Sequence, residues 1–237
     1  MDIKAADIKE LRERTGAGMM ECKKALIESG GSLSDAEKIL KEKGLAAVAK
    51  RSERATGEGR IFIKQGENKI AMVELTCETD FVAGNKDFIE LGDKLADVSL
   101  KNGTDGVSDE QNALLQDLAI KIRENMAVRR ATVVDVPPGA VASTYIHHNF
   151  KIGSIVVING STDAKIADFA HECCLHLAAN TPSYIKRDEV PAEYIAEQTE
   201  IFKKQMEDDP KVAEKPQNVK DGILNGKVSK HLAEICF

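Results

Sequence analysis

Over the first fifty residues apolar positions recur at helical spacing and are punctuated by glycine, which predicts three short helices. Ile8, Leu11 and Arg12 lie on the first, which is expected to end before Thr15-Gly16-Ala17-Gly18. Met19, Met20, Cys22, Lys23, Leu26 and Ile27 lie on the second, up to Gly30-Gly31. The third is expected to start from a capping box of Ser34 and Glu37, to carry Ala36, Ile39 and Leu40 as its buried stripe, and to end before Gly44. So small a three-helix unit has a thin core and is suited to docking.

Past this region the period changes. Lys50 to Arg60 (KRSERATGEGR) has linker composition. Ile61-Phe62-Ile63, the turn cluster Gly66-Glu67-Asn68 and Ile70 to Thr76 then predict a β-hairpin. Phe88, Leu91, Leu95 and Val98 predict a helix over 85–100, and Leu114, Leu115, Leu118 and Ile122 one over 109–126. Ala127 to Val136 alternates like a strand and stops at Pro137-Pro138. Sliding the chain by 83 positions places Phe62-Ile63 on Tyr145-Ile146, Val73 on Val156 and Thr79-Asp80 on Thr162-Asp163, so a second strand-strand-helix module is expected. From Pro191 two apolar-periodic runs flank Asp209-Pro210 and Pro216, the pattern of an antiparallel helical hairpin. The expected class is α+β. The expected domains are 1–54, three-helix; 55–140 and 141–190, two related core subdomains; and 191–237, a helical (coiled-coil) hairpin.

Composition narrows the function. Of 237 residues 42% are hydrophobic and 30% charged, a globular balance. The net charge of −6 and the scarcity of aromatics (Trp 0, Tyr 3, Phe 7) argue against direct nucleic-acid binding and a membrane surface. No run reaches the roughly 18 apolar residues of a membrane span, and Met1-Asp2-Ile3-Lys4 does not open a secretory signal, so a cytoplasmic location is expected. Five cysteines, an odd number set in apolar or helical patterns, argue against a disulfide framework.

Catalytic motifs are absent. There is no G-x-S-x-G elbow and no P-loop, and Gly57-Glu58-Gly59 lacks the third glycine of a dinucleotide fingerprint. In His171-Glu172-Cys173-Cys174-Leu175-His176, the pairs His171/Cys174 and Cys173/His176 fall on helix faces about 160–200° apart, so one zinc could not take all four. No metal, cofactor or covalent chemistry is expected, and Cys173 and Cys174 read as small core residues. Thr79-Asp80-Phe81-Val82-Ala83 is more pointed. It sets two apolar side chains where a strand hands over to a helix, and Phe81 has only Ala164 opposite it in the second module. Either Phe81 and Val82 tuck under the following helix, or Phe81 protrudes as an anchor for a partner's pocket.

Four segments, Leu11 to Leu26 (LRERTGAGMMECKKAL), Leu75 to Ala83 (LTCETDFVA), Lys121 to Arg130 (KIRENMAVRR) and His176 to Pro182 (HLAANTP), taken in order, resemble the bacterial elongation factor Ts family. The resemblance implies a ubiquitin-associated-like (UBA-like) first domain and guanine-nucleotide exchange on the translation GTPase elongation factor Tu, in its GDP-bound and nucleotide-free forms. It implies that Phe81 is an apolar wedge that helps dislocate the GTPase's magnesium, with Asp80 its polar partner and Thr79 and Val82 its supports. It also implies partner contact by Arg12, Met19, Met20 and Lys23, and by His176 near the partner's phosphate-binding loop. Read from the residues alone, Met19 could instead fill the small core, and His176 could be a core histidine. A homodimer or a 2:2 complex is left open. A binding adaptor that uses the three-helix domain without exchange activity is the alternative. Longer members of the family continue into a further strand-containing segment with a Q-P-F-V-like motif, so a chain stopping at Ile235-Cys236-Phe237 is expected either to be truncated or to lack that module.

Overall fold

The computed structural model describes residues 3–237, in two compact units that divide at His171/Glu172. The first opens with α1 (Ala5–Thr15), α2 (Met19–Glu28) and α3 (Leu33–Ala49), packed around Leu11, Cys22, Ala25, Leu26 and Ala36. Gly16 closes α1 in the left-handed conformation, its N–H reaching the Arg12 carbonyl. The start of α3 differs from the expected box: Ser32, not Ser34, accepts from the Asp35 N–H at 3.3 Å. Capping two residues earlier takes Leu33 into the first turn, where it packs on the small core. Nor does α3 stop at Gly44. It runs on to Ala49 because Gly44 is where it crosses α6 (Asp109–Ile122), and a Cβ there would lie 2.6 Å from Ile120 Cγ2. That glycine serves a close helix crossing and not a helix end.

Residues 50–54, linker-like in composition, form turns that are tied down. The Asn125 side chain donates to the carbonyls of Ser52 (3.1 Å) and Arg54 (2.6 Å). The expected hairpin follows as β1 (Glu58–Gln65) and β2 (Lys69–Cys77), closed by the Gly66 N–H on the Lys69 carbonyl. The strand after α6 is β3 (Met126–Asp135), which pairs antiparallel with β2 to make a sheet of order β1-β2-β3. Helix α6 stops at Ile122, short of the expected 126, because Arg123 turns left-handed at φ 65. On the sheet lies α5 (Lys86–Asn102), whose expected stripe Phe88, Leu91, Leu95 and Val98 is buried throughout. With Phe62, Val73, Leu75, Leu118 and Met126 most of it forms the main core. Between β2 and α5 stands the single turn α4 (Asp80–Ala83).

A second hairpin, β4 (Val141–Ile146) and β5 (Gly153–Ile158), lies beside β1. The Ile61 N–H donates to the Phe150 carbonyl at 2.7 Å, and the Arg60 guanidinium sits 4.3 Å from the Phe150 ring centroid. Helix α7 (Ala164–Asn180) follows, and the division between the two units falls within it. In the second unit a 3-10 turn (Arg187–Glu189) precedes α8 (Ala192–Glu207), a short α9 (Pro210–Ala213) and α10 (Gln217–Ile235). The outer two helices form a hairpin in which Tyr194 Oη and His231 Nε2 lie 2.9 Å apart. The chain is thus a mixture of helices and antiparallel strands, an α+β protein.

Candidate functional site

The turn after β2 is held from beneath by residues more than forty positions away in the sequence. Glu124 Oε2 accepts from the N–H groups of Glu78 and Thr79, each at 3.1 Å, and Oε1 accepts from Thr79 Oγ1 at 2.7 Å. The exchange is mutual, for Glu78 accepts from the Asn125 N–H at 2.6 Å and from Arg54 at 3.4 Å. That N–H bond, with Arg54 and Arg51 behind it, holds the Glu78 carboxyl below the usual carboxylate range. Cys77 Sγ donates to the Thr79 carbonyl. Burial, reinforced by the nearby charge of Glu124, pushes this thiol up to about 11.

On this base Thr79 caps α4, accepting from the Val82 N–H at 3.4 Å. The two apolar side chains of the turn then part. Val82 packs against the main core, whereas Phe81 is 86% exposed. Asp80 is exposed beside it. Tucking under the following helix therefore describes Val82 only, and Phe81 is a protruding aromatic.

The other singled-out residues are also on the surface. Met19 (56% exposed) and Met20 (66%) open α2, Lys23 follows one turn on, and Ile27 (57%) extends the apolar face, with Arg12 exposed on α1. Met19 therefore does not fill the small core. In the second unit His176 is exposed, its ring 5.6 Å from that of Phe237, which removes the core-histidine reading. His171 bonds Ser143 Oγ through Nδ1 at 3.4 Å and meets Tyr145 edge-on, while Cys174 is buried. Burial raises the Cys173 pKa, the opposite of what a nucleophilic thiol needs. Among the described residues no group of three or more His, Cys, Asp or Glu side chains is arranged to hold a metal ion, and no helix is long and apolar enough to cross a membrane.

Glu124, Asn125 and Glu78 are the residues that sequence reasoning passed over. The only signal was their presence inside segments already singled out, Lys121 to Arg130 and Leu75 to Ala83.

The model of the Elongation factor TS family matches residues 78–237. Elongation factor Ts of Treponema denticola is 50% identical over 242 residues, covering all of this chain and 85% of that protein. The Treponema pallidum (strain Nichols) protein of the same name is 44% identical over 255 residues, and that of Borrelia duttonii 36% over 246, each across all of this chain and 86% of its own length. These matches make the molecule a translation elongation factor, a protein of the biosynthetic machinery. More narrowly, the chain belongs to the elongation factor Ts family.

Proposed function

We propose that the chain is a guanine-nucleotide exchange factor that binds elongation factor Tu in its GDP form and promotes loss of GDP without covalent chemistry. Such a factor binds the nucleotide-free GTPase more tightly than the loaded one, and by reciprocity weakens nucleotide binding by the same factor. Each tenfold in release rate by barrier lowering requires about 1.4 kcal/mol.

The observation that carries the reading is Phe81, 86% exposed on a turn whose base is hydrogen-bonded on both sides. An aromatic held out in water forgoes the benefit of burial, and a fixed one enters a partner's pocket with little ordering cost. In this reading Phe81 is the wedge, Asp80 positions it against the partner, and Thr79 and Val82 hold the turn. The wedge disturbs the partner's magnesium and phosphate site; magnesium binds the phosphates to the GTPase, so its disturbance removes a large favourable term for GDP. Arg12, Met19, Met20 and Lys23 make a second contact and His176 a third. The proposed division of labour is 1–54 for docking, 55–140 and 141–190 as two related core subdomains, and 191–237 as the hairpin, in a cytoplasmic protein.

The test is release of fluorescent GDP from purified elongation factor Tu. The chain accelerates it, and Phe81→Ala lowers the acceleration about 10- to 30-fold, as loss of a hot spot of about 2 kcal/mol would, with an unchanged melting temperature. Undiminished exchange by that variant refutes the wedge. Binding of partners by the wild type without faster GDP release would instead identify an adaptor.

A further inference from the structure

Where the three-helix unit meets α6 there is a cavity of about 790 Å³, well inside the size range of small-ligand sites. Its lining is lopsided: nine basic side chains face three acidic ones, in a chain whose net charge is −6. Several of the nine are paired, as Lys41 is with Asp117 at 3.3 Å and Arg123 with Glu21 at 2.6 Å. Among the described residues Lys24, Lys50, Arg51 and Lys121 have no carboxylate within ion-pair distance. Arg51 is the telling member. It is 8% exposed, its Nε donates to the Ala47 carbonyl at 2.9 Å, and the Glu78 carboxylate that feels its charge bonds Arg54 and the Asn125 N–H instead, so no carboxylate is bonded to this buried guanidinium. Buried cations are ordinarily paired, because desolvating a charge without a counterion costs several kcal/mol.

The lining also narrows the ligand. No aromatic side chain borders the cavity, so it offers no platform for stacking a base and does not suit single-stranded RNA. What it offers is a planar guanidinium fork accompanied by ammonium groups, the pairing used for phosphate oxygens. Cations gathered in a low-dielectric cleft raise the local concentration of such anions. We propose that this cavity binds a small, multiply charged phosphate compound, with Arg51 as the anchoring donor and Lys24, Lys50 and Lys121 neutralising the remaining charge. The recognised chemistry is the phosphate chain, whether inorganic or carried by a nucleotide. The proposal is independent of exchange activity, and the cavity lining includes none of Phe81, Arg12, Met19, Met20, Lys23 or His176.

The test is calorimetric titration of the full chain with inorganic tripolyphosphate at physiological ionic strength. One-to-one binding is expected, weakened at least tenfold by Arg51→Gln and by Lys24→Glu. Lys9→Glu, on α1 outside the cavity, should change it less than twofold. If Arg51→Gln lowers the melting temperature or the helical circular dichroism, the exposed pair Lys50→Glu and Lys121→Glu provides the same reading without touching a buried group. A parallel titration with GTP separates the sources: equal affinity points to the phosphate chain alone, and tighter binding with the same dependence on Arg51 and Lys24 points to a nucleotide. No tripolyphosphate binding, equal weakening by Lys9→Glu, or displacement by an RNA oligomer at lower concentration would overturn the proposal.

Discussion

Glu124 fills three of a carboxylate's roughly four acceptor positions with donors from a single turn. Removing it leaves two backbone N–H groups and the Thr79 hydroxyl to find other partners, and hydrogen bonds to a charged acceptor are worth about 1.5–3 kcal/mol each where they are buried. Here the site is half-buried, so Glu124→Ala is expected to cost about 1–3 kcal/mol in a denaturant melt. The more diagnostic readout is exchange. Phe81 keeps its apolar surface but loses its fixed direction, so GDP release should slow at saturating factor more than apparent affinity falls. Glu124→Gln retains one oxygen acceptor and should recover part of the rate; full loss in both variants with normal melting would point to direct partner contact by Glu124. Beneath the same turn, Cys77 has its pKa raised from 9.0 to about 11 by burial first and by Glu124 next. A group whose pKa is raised on folding contributes stability that is complete below its ordinary value and lost as pH climbs through the raised one. Stability should therefore fall from about pH 9 toward pH 11. At pH 8, alkylation of Cys77, followed by mass spectrometry, should proceed only as fast as the protein opens; fast labelling of the native protein would contradict this.

At the scale of elements, the main core was legible because it repeats. A helix that shows Phe88, Leu91, Leu95 and Val98 at three- and four-residue intervals has one face to bury, and β2 of the adjoining hairpin offers Val73, Leu75 and Cys77 at alternate positions to bury it on. Glycines were harder to interpret, since composition does not distinguish a helix end from a close approach. Gly16 ends a helix, Gly44 lies under a crossing, and Gly92 sits in the middle of α5 with a Cβ position 2.1 Å from Phe62 Cζ. The last distance yields an expected outcome. Phe62 is buried with its ring centroid 6.4 Å from that of Phe88, and overpacking a filled core costs about 1–3 kcal/mol. Gly92→Ala should lower the urea midpoint accordingly, although alanine is the better helix former in the abstract. Adding Phe62→Leu should restore part of the loss by making room for the methyl group; simple additivity of the two changes would show that the contact is not the cause. Of the candidate site, Phe81 was visible as an apolar residue in a polar setting. The clamp beneath it was not, because Glu124 meets Thr79 across 45 positions through the pairing of β2 with β3, and local spacing carries no record of that.

For the molecule as a whole, the three-helix unit is the weakest part of the first unit. Among the described residues its own core has five buried side chains, two of them alanines, against thirteen in the main core, so it depends on its seat against α6. Two kinds of force act at that seat. The apolar crossing of Gly44 on Ile120 and the ion pairs Lys41–Asp117 and Arg123–Glu21 hold it, while the excess of cations around the cavity pushes it apart. The ion pairs are exposed and worth at most about 1 kcal/mol each. Salt decides between the two electrostatic terms, because the screening length shrinks from about 30 Å at 0.01 M to about 3 Å at 1 M. If the ion pairs dominated, added salt would loosen the helices; if the excess positive charge dominates, salt relieves it. The charge balance favours the second outcome. Amide hydrogen exchange in α1 to α3 should therefore slow between 0.02 M and 0.5 M sodium chloride, with α5 and β2 unchanged as internal references. Gly44→Leu, which wedges the crossing open, should speed exchange in the three helices at every salt concentration and leave the sheet protected. Faster exchange of the wild-type helices with added salt would assign the seat to its ion pairs instead.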